Sequence, residues 1–109
     1  ALACSPDSQQ LISASQDGKL GIWELDRGQL VAMVTAHTEA ITSLAMNREG
    51  SLLITGSLDR TAKIWDLQTR ESVATLTGHQ AAVNSVAIGR SGELLATASA
   101  DGTIHIWQY

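Results

Sequence analysis

Apolar and polar residues alternate along this chain in short runs, and Gly, Asp, Ser or Asn closes each run. Alternation over four to eight residues is the pattern of a half-buried β-strand, and turn-forming residues between two such runs mark a hairpin. The clearest case is LLITGSLDRTAKIWD at residues 52–66, which reads as strand, tight turn, strand. The same reading fits LISASQDGKLGIWE at 11–24 and LLATASADGTIHIWQ at 94–108. Trp23, Trp65 and Trp107 stand a constant 42 residues apart, as do Asp17, Asp59 and Asp101, and Ser15, Ser57 and Ser99. His37 and His79 keep the same step, and no insertion or deletion is needed to hold the register.

Each repeat divides into four predicted strands. Strand A (Leu2-Ala3-Cys4, Leu44-Ala45-Met46, Val86-Ala87-Ile88) leads into a polar turn: Ser5-Pro6-Asp7-Ser8, Asn47-Arg48-Glu49-Gly50 or Gly89-Arg90-Ser91-Gly92. Pro presets φ and Gly supplies positive φ, so these are tight connections. Strand B follows at 10–15, 52–57 and 94–99. The next turn carries Asp17-Gly18 and Asp101-Gly102, a strong hairpin signal. Arg60 stands where the other copies have glycine, with an expected cost of a few tenths to about 1 kcal/mol. In strand C, Leu20 and Ile22, Ala62 and Ile64, and Ile104 and Ile106 share one face, and the tryptophans take the other. A sheet apolar on both faces has to be sandwiched between neighbours. Strand D, at 29–35 and 71–77, is more polar and is expected at the outer edge.

Composition narrows the class. A chain of 109 residues with 44% hydrophobic and 17% charged residues is ordinary folded material. Its net charge is −4 and its seven basic residues are scattered, so direct nucleic-acid binding is not expected. There is no apolar run long enough for a membrane helix and no signal-peptide layout. The lone Cys4 aligns with Met46 and Ile88 and reads as a small core hydrophobe. These features point to an intracellular protein, cytoplasmic or nuclear, with no cofactor.

A repeat of about 40–45 residues is the spacing of four-stranded propeller blades. Thr77-Gly78-His79, then Ser99 and Asp101, then Ile106-Trp107, with a literal Trp65-Asp66 in the middle copy, resemble the Gly-His to Trp-Asp pattern of WD-repeat β-propellers. The likeness covers the whole chain. It implies an all-β fold of four-stranded antiparallel blades around a channel, strand A innermost and D outermost. The blades are expected at 1–35, 36–77 and 78–109, the last incomplete: about 2.6 blades of a larger ring of about seven. A fragment of a longer propeller is the expected state, with self-association of copies into a closed ring as the alternative.

The resemblance further implies a buried hydrogen-bonded tetrad of His, a strand-B Ser or Thr, the turn Asp and the strand-C Trp. The second blade offers His37, Thr55, Asp59 and Trp65; the third offers His79, Thr97, Asp101 and Trp107; the first offers Ser13, Asp17 and Trp23. Ser15, Ser57 and Ser99 lie on the same strand face and are the alternative position. A Ser, His and Asp set also invites a hydrolase reading, but one that recurs in every repeat serves structure rather than a single active site. His37, His79 and His105 belong to different strands and loops and are not expected to bind metal. The resemblance implies a non-catalytic scaffold for other proteins or peptides, docking on the ring face. Here that face would carry Gln16, Ala40, Thr42, Leu58, Ala82, Asn84 and Ala100, none of them aromatic or Arg, so a weak hot spot is expected. The alternative is a regulatory propeller attached to an enzyme or NTPase domain.

Overall fold

The computed structural model describes residues 2–4, 9–89 and 94–108. The predicted turns at 5–8 and 90–92 and the side chain of Cys4 lie outside the described residues. Among the described residues eleven strands form in chain order: β1 (Leu2–Cys4), β2 (Gln10–Ala14), β3 (Lys19–Glu24), β4 (Gln29–Thr35), β5 (Ile41–Met46), β6 (Leu52–Ser57), β7 (Ala62–Asp66), β8 (Glu71–Leu76), β9 (Val83–Ile88), β10 (Leu94–Ser99) and β11 (Ile104–Gln108). They pair antiparallel into three sheets ordered β1-β2-β3-β4, β5-β6-β7-β8 and β9-β10-β11. Each sheet is a blade.

Register repeats with the sequence period: Leu11 pairs with Trp23, Leu53 with Trp65 and Leu95 with Trp107. The third-to-fourth-strand pairing slips by one residue next to Trp23 and again next to Trp65, which twists each outer strand the same way. The β2–β3 and β10–β11 turns use Gly18 and Gly102 at positive φ, and Arg60 adopts the same left-handed conformation in the β6–β7 turn, with φ 75°. Strand β2 ends at Ala14, one residue before the predicted end, whereas β6 and β10 reach Ser57 and Ser99 as expected.

The core lies between blades. Leu53 and Ile54 are consecutive, point to opposite faces of the middle sheet, and are both fully buried. Leu53 and Trp65 pack with Ile12, Leu20 and Ile22 of the first blade, while Ile54, Ala62 and Ile64 pack with Val83, Val86 and Leu95 of the third. We call the face turned toward the preceding blade leading and the opposite face trailing. Backbone bonds add to the first junction: Ala36 N and His37 N both donate to Gly18 O, at 2.9 and 3.0 Å. A Cβ on Gly18 would stand 2.1 Å from the His37 carbonyl oxygen, so this approach requires glycine.

Two surfaces depart from the sequence expectation. Strand β4 sits at the sheet edge but exposes Leu30, Val31 and Met33, so it is not the polar strand expected there. Ile104 and Ile106, equivalent to the buried Leu20 and Ile22 and to Ala62 and Ile64, are exposed because no described residue packs against that face.

Candidate functional site

In the second blade the four tetrad residues come together in one line. His37 arrives from the β4–β5 connection, Thr55 from β6, Asp59 from the β6–β7 turn and Trp65 from β7. Trp65 Nε1 donates to Thr55 Oγ1 at 3.1 Å, Thr55 Oγ1 lies 2.7 Å from His37 Nε2, and His37 Nδ1 lies 2.8 Å from Asp59 Oδ2. A carboxylate only accepts, so His37 Nδ1 carries the proton and Nε2 accepts from the Thr55 hydroxyl. The chain of bonds thus has one sense from Trp65 through Thr55 to His37, and a separate donation from His37 into Asp59.

Burial pushes the His37 imidazole below its ordinary pKa, against the opposing pull of the Asp59 hydrogen bond and charge. Burial acts to raise the Asp59 carboxyl, but hydrogen bonds from Thr61 and His37 outweigh it and hold the group below the usual carboxylate range. The pair therefore sits as neutral imidazole beside carboxylate. Thr61 was not among the residues expected here. Its hydroxyl donates to Asp59 Oδ1 at 2.5 Å and its backbone N donates to the same oxygen at 3.0 Å. The signal was available, since Thr61 and Thr103 are also one period apart.

The third blade differs in detail. Trp107 Nε1 donates to Thr97 Oγ1 at 2.9 Å, and Thr97 Oγ1 is 2.7 Å from His79 Nε2. His79 Nδ1 lies 3.2 Å from Thr103 Oγ1 but 3.9 Å from Asp101, beyond hydrogen-bond reach. Asp101 instead accepts from the Thr103 hydroxyl, from Gln80 N at 2.9 Å and from Thr103 N at 2.9 Å. The Thr103 hydroxyl first, then the Gln80 N–H, hold its carboxyl well below the ordinary range. His105 stacks on His79 with ring centroids 4.2 Å apart and lies 5.6 Å from Trp107, so it belongs to this cluster. In the first blade Trp23 Nε1 donates to Ser13 Oγ at 3.0 Å, while Asp17 is held within its own turn by the Ser15 hydroxyl and Lys19 N.

The alternative serines do other work. Ser57 Oγ donates to Ala40 O at 2.9 Å and accepts from Asp59 N at 3.1 Å. Ser99 Oγ likewise donates to Ala81 O and accepts from Asp101 N. They brace the turn, and the earlier position carries the link to histidine and tryptophan.

Of the residues expected to face a partner, Gln16, Leu58, Asn84 and Ala100 are exposed, Leu58 at 45%. Ala40 and Ala82 are half-buried, their carbonyls accepting from Leu58 N and Ala100 N at 3.0 Å. Thr42 is engaged otherwise: its hydroxyl donates to the Val83 carbonyl and ties β5 to β9.

The Asp59, His37, Thr55 order matches the order of an acid, base and nucleophile. Thr55, however, is 0% exposed and its oxygen already accepts from Trp65, so no external acyl group can reach it. Among the described residues no three His, Cys, Asp or Glu side chains converge to hold a metal ion. The geometry performs bracing: it fastens a loop and a turn to the middle of a sheet.

Comparison with known proteins places this architecture. The family described as WD domain, G-beta repeat, matches residues 1–24, 28–66 and 70–108. Autophagy-related protein 16 of Arabidopsis thaliana is 33% identical over 51 residues, 47% of this chain and 10% of that protein. A Lissencephaly-1 homolog of Monosiga brevicollis is 34% identical over 51 residues, 47% of this chain and 12% of its own. The structure of U3-55K superposes with a TM-score of 0.93 at 25% identity over 98% of this chain and 35% of that one. The crystal structure of RRP9 WD40 repeats gives the same TM-score and identity over 98% and 34%. The matched segments thus cover about a tenth of those relatives and about a third of the solved chains.

Proposed function

The chain belongs to the WD-repeat family, whose members commonly act as interaction scaffolds, and from that premise we propose that residues 1–109 form a rigid, non-catalytic scaffold sector that presents its blade-end turns to another protein or peptide. The observation that carries this reading is the division of labour at those turns. The Ser, Asp and His side chains there are consumed by internal hydrogen bonds, while Gln16, Leu58, Asn84 and Ala100 are left outward on a braced frame. A braced frame loses little entropy on binding, which favours recognition. None of the four is an aromatic or Arg anchor, so affinity from this sector alone is low and Leu58 supplies most of it.

Peptides selected by display on the immobilised chain test this. They are expected to bind the Leu58→Asp variant at least tenfold more weakly than the parent and a Ser72→Lys variant of the outer rim with unchanged affinity. Selected peptides that bind all three chains equally would remove the turn face from consideration. Hydrolysis of a p-nitrophenyl ester by the parent that His37→Ala alone abolishes would replace the scaffold reading with a catalytic one.

A further inference from the structure

We infer that the outer edge of β4 takes up an extended peptide as an added strand, one with apolar side chains at alternate positions and a carboxylate that meets Arg70. Strand β4 ends its sheet, so along one side its N–H and C=O groups face no strand among the described residues. Its pairing with β3 slips once beside Trp23 and is regular from Ala32 to Thr35, a stretch that can continue the ladder outward. Natural sheet edges are guarded by charge or proline. Residues 29–35, QLVAMVT, carry neither. Leu30, Val31 and Met33 are 42%, 38% and 56% exposed. The equivalent strand of the middle blade, β8, begins on Glu71 and has Ser72, Val73 and Thr75 at those positions.

This exposure belongs to the strand's place in its blade. The middle blade packs against a described neighbour on each side, yet β8 shows the same alternation of exposed and half-buried residues as β4. The outermost strand stays open when both adjoining blades are present, and apolar side chains are what set β4 apart. What adjoins the edge fixes the chemistry of its occupant. Ala32 and Val34 turn to the trailing face and pack on the core shared with the middle blade. There Val34 lines a narrow slot with Leu53, Trp65, Leu67 and Arg70. Arg70 is the charged member of that lining, and its guanidinium makes no ion pair among the described residues. The Asp66 carboxylate of the same turn accepts from Gln68 N and Thr69 N instead. A free guanidinium beside an uncharged edge favours a peptide carboxylate. Backbone pairing then supplies affinity and the alternate side chains supply specificity.

Fluorescence anisotropy of a labelled peptide alternating Val with Thr and Glu tests this on the chain. The parent is expected to bind it, and to bind at least tenfold more weakly both a fully N-methylated version, which keeps the side chains but has no N–H, and a version with Lys for Glu. A double variant, Leu30→Ser with Met33→Thr, gives β4 the side chains of β8 and should lose at least tenfold in affinity with its β-sheet circular dichroism intact. Arg70→Gly should bind the Glu and Lys peptides equally, and Leu58→Asp on the turn face should bind as the parent does. A parent that ignores the peptide, or binds its N-methylated version as tightly, overturns strand addition whatever the variants do. So does a double variant with unchanged affinity. Arg70→Gly that still prefers Glu overturns the carboxylate contact. Light scattering in which the parent self-associates, the double variant does not and neither takes the peptide would give the edge to a second copy and overturn the peptide as occupant.

Discussion

Replacing Thr55 by Val isolates the polar part of the second blade's network, because the methyl fills the hydroxyl's place and leaves no cavity. Two groups lose their partner at once. Trp65 Nε1 donates to that hydroxyl at 3.1 Å, and His37 Nε2 lies 2.7 Å from it. Thr55, Trp65 and His37 are all buried, so water cannot replace the lost bonds. An orphaned buried donor or acceptor costs about 1–3 kcal/mol, which puts the loss of two at about 2–6 kcal/mol. For a domain of this size that lowers Tm by roughly 10 °C or more, a large fraction of a typical total stability. Two parallel variants calibrate the number. Thr97→Val removes the same pair of bonds in the third blade, but Trp107 is half-exposed and recovers water, so its effect is smaller. Ser13→Ala orphans only the half-exposed Trp23 and costs about 1 kcal/mol or less. Urea unfolding followed by tryptophan fluorescence, at one fixed protein concentration, reads all three. The reasoning is refuted if Thr55→Val unfolds within about 0.5 kcal/mol of the parent, or if Ser13→Ala is the costliest of the three.

Three further outcomes are expected. Stability falls on acidification: His37 and Asp59 are both held below their ordinary pKa values, so the unfolded chain binds more protons, first as pH falls below the His37 reference of 6.5 and again below the Asp59 reference of 3.8. Urea midpoints measured across that range should drop, His37→Gln should flatten the upper step, and a midpoint that rises toward acid pH contradicts the assignment. Arg60→Gly relieves a side chain held at φ 75° and should stabilise by about 0.5–1 kcal/mol, whereas Gly18→Ala drives a Cβ into the His37 carbonyl and should destabilise strongly; thermal melts giving the opposite signs would rule out the turn argument. Ser43 Oγ is buried without a hydrogen-bond partner among the described residues, so Ser43→Ala should be neutral or stabilising by up to about 1 kcal/mol, and a clear loss in the same melts would reveal an unseen partner.

How far the site was legible depended on whether a residue's role repeats. Thr55 was assigned ahead of Ser57 from family resemblance, and the structure puts Thr55 between histidine and tryptophan and Ser57 under the turn. His105 and Thr42 escaped because each makes a contact that its period equivalent does not share: His105 stacks on His79 where the middle copy has Lys63, and Thr42, equivalent to Asn84, reaches the Val83 carbonyl of the next blade. The third blade's Asp101 shows the same limit. It occupies the position of Asp59, yet it turns to Gln80 N and stands 3.9 Å from His79, a difference set by loop placement rather than residue type.

The sequence by itself determined the strands, their register and the blade order, because period-two alternation and a constant 42-residue step are local properties that no distant contact needs to decide. Tertiary structure alone decided which apolar faces are covered. Leu20, Ala62 and Ile104 are equivalent in sequence, but the first two are buried and the third is 70% exposed, because burial belongs to a pair of sheets and not to a strand.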